Sequence, residues 1–329
     1  MQPFRVPVGM HRDNRARLVA LFALDNASAA EGAGCVLLFR GGEQGTRYET
    51  DHEPLFRQES FFAHLFGVTE AGCYATIHVP SGKSTLFVPR LPEAYAVWMG
   101  TIQPASFFAD KYGVDAALYV DELAAFLTAD PAVVASTVAA PALHTLHGLN
   151  SDTGESGPPL PSFEGFTQLP STATRLRAAA VEVRVLKSEA EVAVLQRVND
   201  IASDAHLAVM RLAKPGMAEF QLESLFLHHC YYHGGCRMAA YTGICGCGPS
   251  GAVLHYGHAG APNDRECGDG EMMLLDMGVE HRCYCCDITC SFPVASSGKF
   301  TDDQRFVFET VRVCTRAGGG DLGGWAVNP

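Results

Sequence analysis

Basic residues are scarce in this sequence. Lysine and arginine number 24 against 36 aspartates and glutamates, giving a net charge of −12, and no basic cluster interrupts that balance. Such a chain repels phosphates, so nucleic acid is not an expected partner. The opening MQPFRVPVGM lacks a basic stretch leading into an apolar core, and no run approaches the about 20 apolar residues of a membrane helix. No membrane partner is expected, and the chain reads as cytoplasmic. Internal repeats are absent too. Only 18% of residues are charged and 47% are hydrophobic, which excludes a disordered chain. Twelve cysteines are present, but disulfide scaffolds are short and cysteine-dense, so in 329 residues most of them read as free thiols.

The length predicts two domains. Residues 1–184 alternate strands and turns. Cys35 to Arg40 reads as a strand, and Cys73 to Val79 faces Ser84 to Val88 across a Pro80-Ser81-Gly82-Lys83 turn. Val114 to Leu127 reads as helical, making the region mixed α/β, and residues 149–162 read as a surface loop. Gly82-Lys83-Ser84 resembles the end of a phosphate-binding loop, but Ile77 stands where that motif needs a glycine. From residue 185 the pattern changes. Ser188 and Glu191 form a capping box, followed by Val192, Leu195, Val198, Ala202, Ala205 and Val209 at helical spacing. Lys214-Pro215-Gly216 stops that helix, and a second runs from Ala218 to Tyr232 before Gly234-Gly235.

The segment from Asp269 to Phe292 carries the chemistry. Both halves are strand-like around a turn between Gly278 and Arg282. With His281-Arg282 as the two-residue loop, Glu280 pairs with Cys283 and Asp276 lies opposite Asp287 on one face. Opposed carboxylates repel, and two divalent cations would convert the pair into a metal cradle. A shifted register with the aspartates facing water is an equal alternative, because two carboxylates fall short of a coordination shell. His255 and His258, about twenty residues upstream, each read singly as structural. A third reading is a zinc site from Cys283, Cys285, Cys286 and Cys290, with Cys245 and Cys247, although their crowding is unlike paired zinc knuckles.

The run from Ser250 to Asp264 around Leu254-His255-Tyr256-Gly257-His258, then Asp276-Met277-Gly278 and Asp287-Ile288-Thr289-Cys290-Ser291-Phe292, resembles the Xaa-Pro dipeptidase (prolidase) family. So do Leu55 to Phe62, Lys83 to Leu91 and Trp98-Met99-Gly100, and the resemblance extends to about Arg316. The family belongs to the aminopeptidase P and methionine aminopeptidase superfamily. The resemblance implies an α/β fold. A small mixed α/β N-terminal domain (1–184) precedes the first half of a "pita-bread" metallopeptidase domain (185–316), in a homodimer. It implies hydrolysis of dipeptides ending in Pro or hydroxyproline by a dinuclear metal-bound hydroxide, with two manganese ions per complete site. Asp276 and Asp287 match metal ligands, His255 matches the residue that contacts substrate and the developing oxyanion, and Tyr241 and Ile244 match pocket-lining residues.

The family completes its site with a later histidine and two later glutamates. This chain has no histidine after His281 and only Glu309 after Asp287. Two of five ligand residues are therefore expected, with a chain cut short before its metal site is complete, weak cation binding, low activity and poor solubility. Residues 317–329 read as an aberrant Gly-rich tail. The alternative is a non-catalytic isoform acting through dimerisation or protein contacts of its N-terminal domain.

Overall fold

The computed structural model describes residues 5–25, 34–137, 141–150, 152–158, 160–173, 175–258, 260 and 262–321. Two units emerge, one of Arg5–Val192 and the other from Ala193 onward.

The first unit is built on β1 (Val36–Arg40), whose five residues are all apolar but the last. A continuous apolar run of this kind suits a strand covered on both faces. β1 pairs antiparallel with β2 (Tyr74–His78), which turns into β3 (Lys83–Val88). The turn follows the sequence: His78 pairs with Lys83, and Gly82 takes the left-handed conformation, φ 67°, that glycine adopts without strain. β4 (Ala116–Tyr119) joins parallel to β3, β5 (Leu143–Thr145) parallel to β1, and β8 (Ser171–Thr172) parallel to β5.

Strand alternation sends Leu37, Phe39, Ala75, Ile77 and Leu86 to one face. There they meet Leu18 and Phe22 of α1 (Val8–Asp25), Phe62 and Phe66 of α2 (Ser60–Phe66) and Leu176 of α7 (Leu176–Val185). Val36, Leu38, Tyr74 and Phe87 point to the other, against Leu123 and Leu127 of α5 (Leu123–Ala129) and Val133 of α6 (Pro131–Ala135). Between β3 and β4 run α3 (Ala96–Met99) and α4 (Ala105–Tyr112).

Two local expectations fail here. Val114 to Leu127 is not one helix, because Ala116–Tyr119 pairs with β3, Val120–Glu122 forms a 3-10 turn and only Leu123 onward is α-helical. Sheet pairing overrides the helix propensity of the alanines. The stretch 149–162 is not wholly loop, since β6 (Gly148–Leu149) and β7 (Ser156–Gly157) form a short hairpin.

α8 (Glu189–Leu212) starts at the capping box, with Ser188 N–H donating to Glu191 Oε2 at 2.8 Å and Glu191 N–H to Ser188 Oγ at 3.3 Å. Glu191 also accepts from His64 Nε2 at 3.0 Å and is almost fully buried.

In the second unit Val198, Ala202, Ala205 and Val209 of α8 pack with Leu222, Phe226 and Cys230 of α9 (Glu219–Gly234) over a small sheet. Gly235, φ 71°, ends α9 in the left-handed cap its sequence announces. The sheet orders β10 (Ile244–Cys247), β11 (Glu271–Asp276) and β14 (Thr289–Val294), all antiparallel. A second small sheet orders β13 (Tyr284–Cys285), β12 (Val279–His281) and β9 (Met238–Ala239). Helix α10 (Asp302–Asp321) follows and continues past Ala317, where the apolar periodicity of the sequence stops; residues 322–329 of the expected tail lie outside the described residues. Among the described residues no helix is long and apolar enough to cross a membrane.

Candidate metal centre

The hairpin turns at Arg282-Cys283, one residue later than His281-Arg282. Both residues have positive φ, 53° and 65°, as a two-residue hairpin turn of mirror-image type demands. Glu280 therefore pairs with Cys285 rather than Cys283, and Asp276 pairs with Thr289 rather than Asp287. Neither dipeptide contains the glycine or asparagine that would have marked the loop.

The slip is two residues, and side chains alternate with period two, so Asp287 stays on the face of Asp276. Tyr241, in the bend between β9 and β10, closes the gap. Its hydroxyl lies 2.6 Å from Asp276 Oδ1 and 3.0 Å from Asp287 Oδ1. A phenol has one proton, so it donates to one carboxylate at a time and leaves the other facing it unneutralised. Burial, followed by the two anionic neighbours, pushes the Tyr241 pKa up, keeping it a donor.

Gly278 makes this convergence possible. A Cβ there would sit 1.8 Å from the carbonyl oxygen of Cys286 and 3.0 Å from Tyr241 Cε1. The requirement is close approach, not an unusual backbone angle.

Three buried polar residues support the arrangement. His206 on α8 donates from Nε2 to the Met277 carbonyl at 3.1 Å, which fixes its tautomer, so Nδ1 accepts from the Cys290 thiol at 3.3 Å. Burial holds its pKa below the ordinary value. Glu219, fully buried, accepts from Cys247 N–H at 2.7 Å, Tyr256 O–H at 2.7 Å and Arg265 N–H at 3.2 Å. Asn263 accepts from Cys245 N–H and donates to Glu223 Oε2 and the Gly243 carbonyl. Glu219 and Asn263 together pin the segment carrying His255 against β10. His255 itself is exposed and has no hydrogen bond to either aspartate, while Ile244 is buried and pairs with Asp276 across the ladder.

The cysteines do not gather as a zinc site would require. Cys285 is exposed and Cys286 buried, on opposite faces of the strand. Among the described residues no group of three or more His, Cys, Asp or Glu side chains is arranged to hold a metal ion.

Two family models match the chain. "Metallopeptidase family M24" covers residues 193–319, the part bearing both aspartates, and "Aminopeptidase P, N-terminal domain" covers residues 11–135. The part of the chain that bears both aspartates is thus similar to metallopeptidase family M24. It is 48% identical to the human Xaa-Pro dipeptidase over 96% of its own length and 61% of that protein's. This chain thus spans about three fifths of the curated relative. Among solved structures, proline aminopeptidase P II from Yersinia pestis superposes with a TM-score of 0.72 at 28% identity, over 94% of this chain and 68% of that one. Escherichia coli aminopeptidase P with the inhibitor Pro-Leu gives 0.72 at 26% identity, over 93% and 66%. The mixed α/β architecture is that of the pita-bread fold, preceded in the chain by an aminopeptidase P type N-terminal domain.

Proposed function

We propose that this chain serves hydrolysis of dipeptides ending in Pro or hydroxyproline, with Asp276 and Asp287 as cation ligands. The observation that carries the reading is the single Tyr241 hydroxyl shared by two carboxylates. A divalent cation would satisfy both at once, and the hard oxygen donors fit manganese. When bound, such cations would polarise the scissile carbonyl and activate water.

The remaining roles follow the same reading. His255, exposed on its anchored turn, contacts the substrate and stabilises the oxyanion. Tyr241 and Ile244 line the pocket wall beside Asp276. The complete site holds two manganese ions in a cytoplasmic homodimer. Two carboxylates are few for six-coordinate cations, so these 329 residues alone bind manganese weakly and turn over slowly. A second reading, an N-terminal unit acting through protein contacts, is supported by the two self-contained cores of Arg5–Val192.

Manganese titration and Gly-Pro hydrolysis test the reading together. The expected dissociation constant is about 10⁻⁴–10⁻³ M, with binding lost in Asp276→Asn/Asp287→Asn. Tight two-ion binding or steady proline release by this chain would refute the ligand count. Binding that survives the double substitution would refute the site.

A further inference from the structure

Helix α9 carries a histidine pair that the aspartate site does not use. His229 and His233 are four residues apart, which places them one above the other on one helix face. Their ring centroids are 4.5 Å apart with planes 46° apart. His233 is exposed and His229 half-buried. Tyr232 packs edge-on against His233 at 4.8 Å and limits the positions of that ring.

The separation is informative. A metal about 2.0–2.1 Å from an imidazole nitrogen lies about 3.2 Å from the ring centroid. Two rings bound at a right angle then have centroids about 4.5 Å apart, and tetrahedral binding spreads them to about 5.2 Å. The observed value fits right-angle coordination, which square-planar and octahedral ions adopt.

The surroundings favour a cation. Burial and the neighbouring His233 hold His229 below its ordinary pKa, which favours the neutral ring, with one of its two nitrogens bare and able to bind a cation. Asp204 on α8 contributes a negative potential at the same ring. The two helices are held close there, since a Cβ on Gly234 would meet Ile201 Cγ2 at 2.6 Å.

We propose that His229 and His233 form a two-imidazole clamp for Ni(II) or Cu(II) on α9, separate from Asp276 and Asp287, with water at the other coordination positions. Neutral imidazoles select these ions over manganese, which prefers oxygen.

The test is isothermal titration of Ni(II), which thiols do not reduce, into untagged protein carrying Cys285→Ser and Cys314→Ser to remove the exposed thiols. Wild-type histidines are expected to bind one ion. Loss of an outer-shell partner alone costs 10–100-fold in affinity, so His229→Gln and His233→Gln should each weaken binding by about tenfold or more. His228→Gln, one position off the pair, and Asp276→Asn/Asp287→Asn should leave it unchanged. Circular dichroism confirms that the variants fold. Ni(II) affinity unaffected by either His229→Gln or His233→Gln, or lost in the aspartate double variant, overturns the proposal.

Discussion

Gly278→Ala isolates the close approach on which the aspartate pair depends. The added methyl would sit 1.8 Å from the Cys286 carbonyl oxygen and 2.7 Å from its carbon. Carbon and oxygen settle about 3.3 Å or more apart, so the strands must open by about 1.5 Å. Opening stretches three bonds: Cys286 N–H to Val279 O at 3.1 Å, Met277 N–H to Ile288 O at 3.2 Å and Ala240 N–H to Gly278 O at 3.0 Å. Overpacking costs about 1–3 kcal/mol, and each weakened hydrogen bond up to about 1 kcal/mol. The expected loss is about 2–5 kcal/mol, a large share of a domain's stability. Gly270→Ala is the control. Its φ is 82° with nothing within 4 Å, so only the left-handed backbone opposes a side chain there, at about 1–2 kcal/mol. Urea unfolding followed by far-UV circular dichroism suits the comparison, because Trp98 reports on the N-terminal unit. If Gly278→Ala is no more destabilising than Gly270→Ala, the close-approach argument fails.

Three further outcomes are expected. Tyr241→Phe removes the proton shared by Asp276 and Asp287 and should destabilise by about 1–2 kcal/mol in urea, the exposure of Asp287 limiting the loss; added Mn(II) should narrow the difference, and a variant indifferent to Mn(II) would contradict the cation reading. Replacing Arg282-Cys283 by Asn-Gly relieves two non-glycine residues of positive φ and should stabilise by about 1–2 kcal/mol, visible as a higher urea midpoint with unchanged slope. The Glu271 carboxyl is held at about 2, against 4.5 ordinarily, first by Arg265 at 2.6 Å and then by the Gly268 N–H. Its folded pKa lies below its unfolded one, so its stabilisation is present above about pH 4.5 and lost as pH falls toward 2. Comparing wild type with Glu271→Gln at pH 6 and pH 3 should show the wild type losing about 1 kcal/mol more, the small figure reflecting solvent screening; equal losses would count against the pair.

The elements legible from sequence are those fixed by near neighbours. The β2–β3 turn needed Gly82, and the start of α8 needed Ser188 and Glu191 three residues apart. Both signals act within one turn of chain, so pattern reading finds them. The helical pattern of Val114 to Leu127 gives way because its fate depends on β3, a strand some thirty residues earlier in the chain. The same holds for the supporting shell. His206 bonds a carbonyl 71 residues away, Glu219 an amide 28 away and Asn263 an amide 18 away. His206 did carry one signal, standing four residues after Ala202 on the core face of α8, where an ionisable side chain needs a buried partner. Glu219 and Asn263 carried none.

The aspartate pair shows how a wrong register can still locate a site. Strand side chains repeat every two residues, so errors of one and of two residues differ in kind. A slip of one would have sent Asp287 to the opposite face of the sheet, with no cation between it and Asp276. A slip of two keeps the face and changes only the spacing, from directly opposed to diagonal, about 7–8 Å apart. At that distance the carboxylates do not touch, and something must span them. Tyr241 does so from a third segment, which the sequence could match to a pocket residue but could not place between the carboxylates. Parity in the hairpin thus decides that the carboxylates converge, while Gly278 and Tyr241 decide how closely.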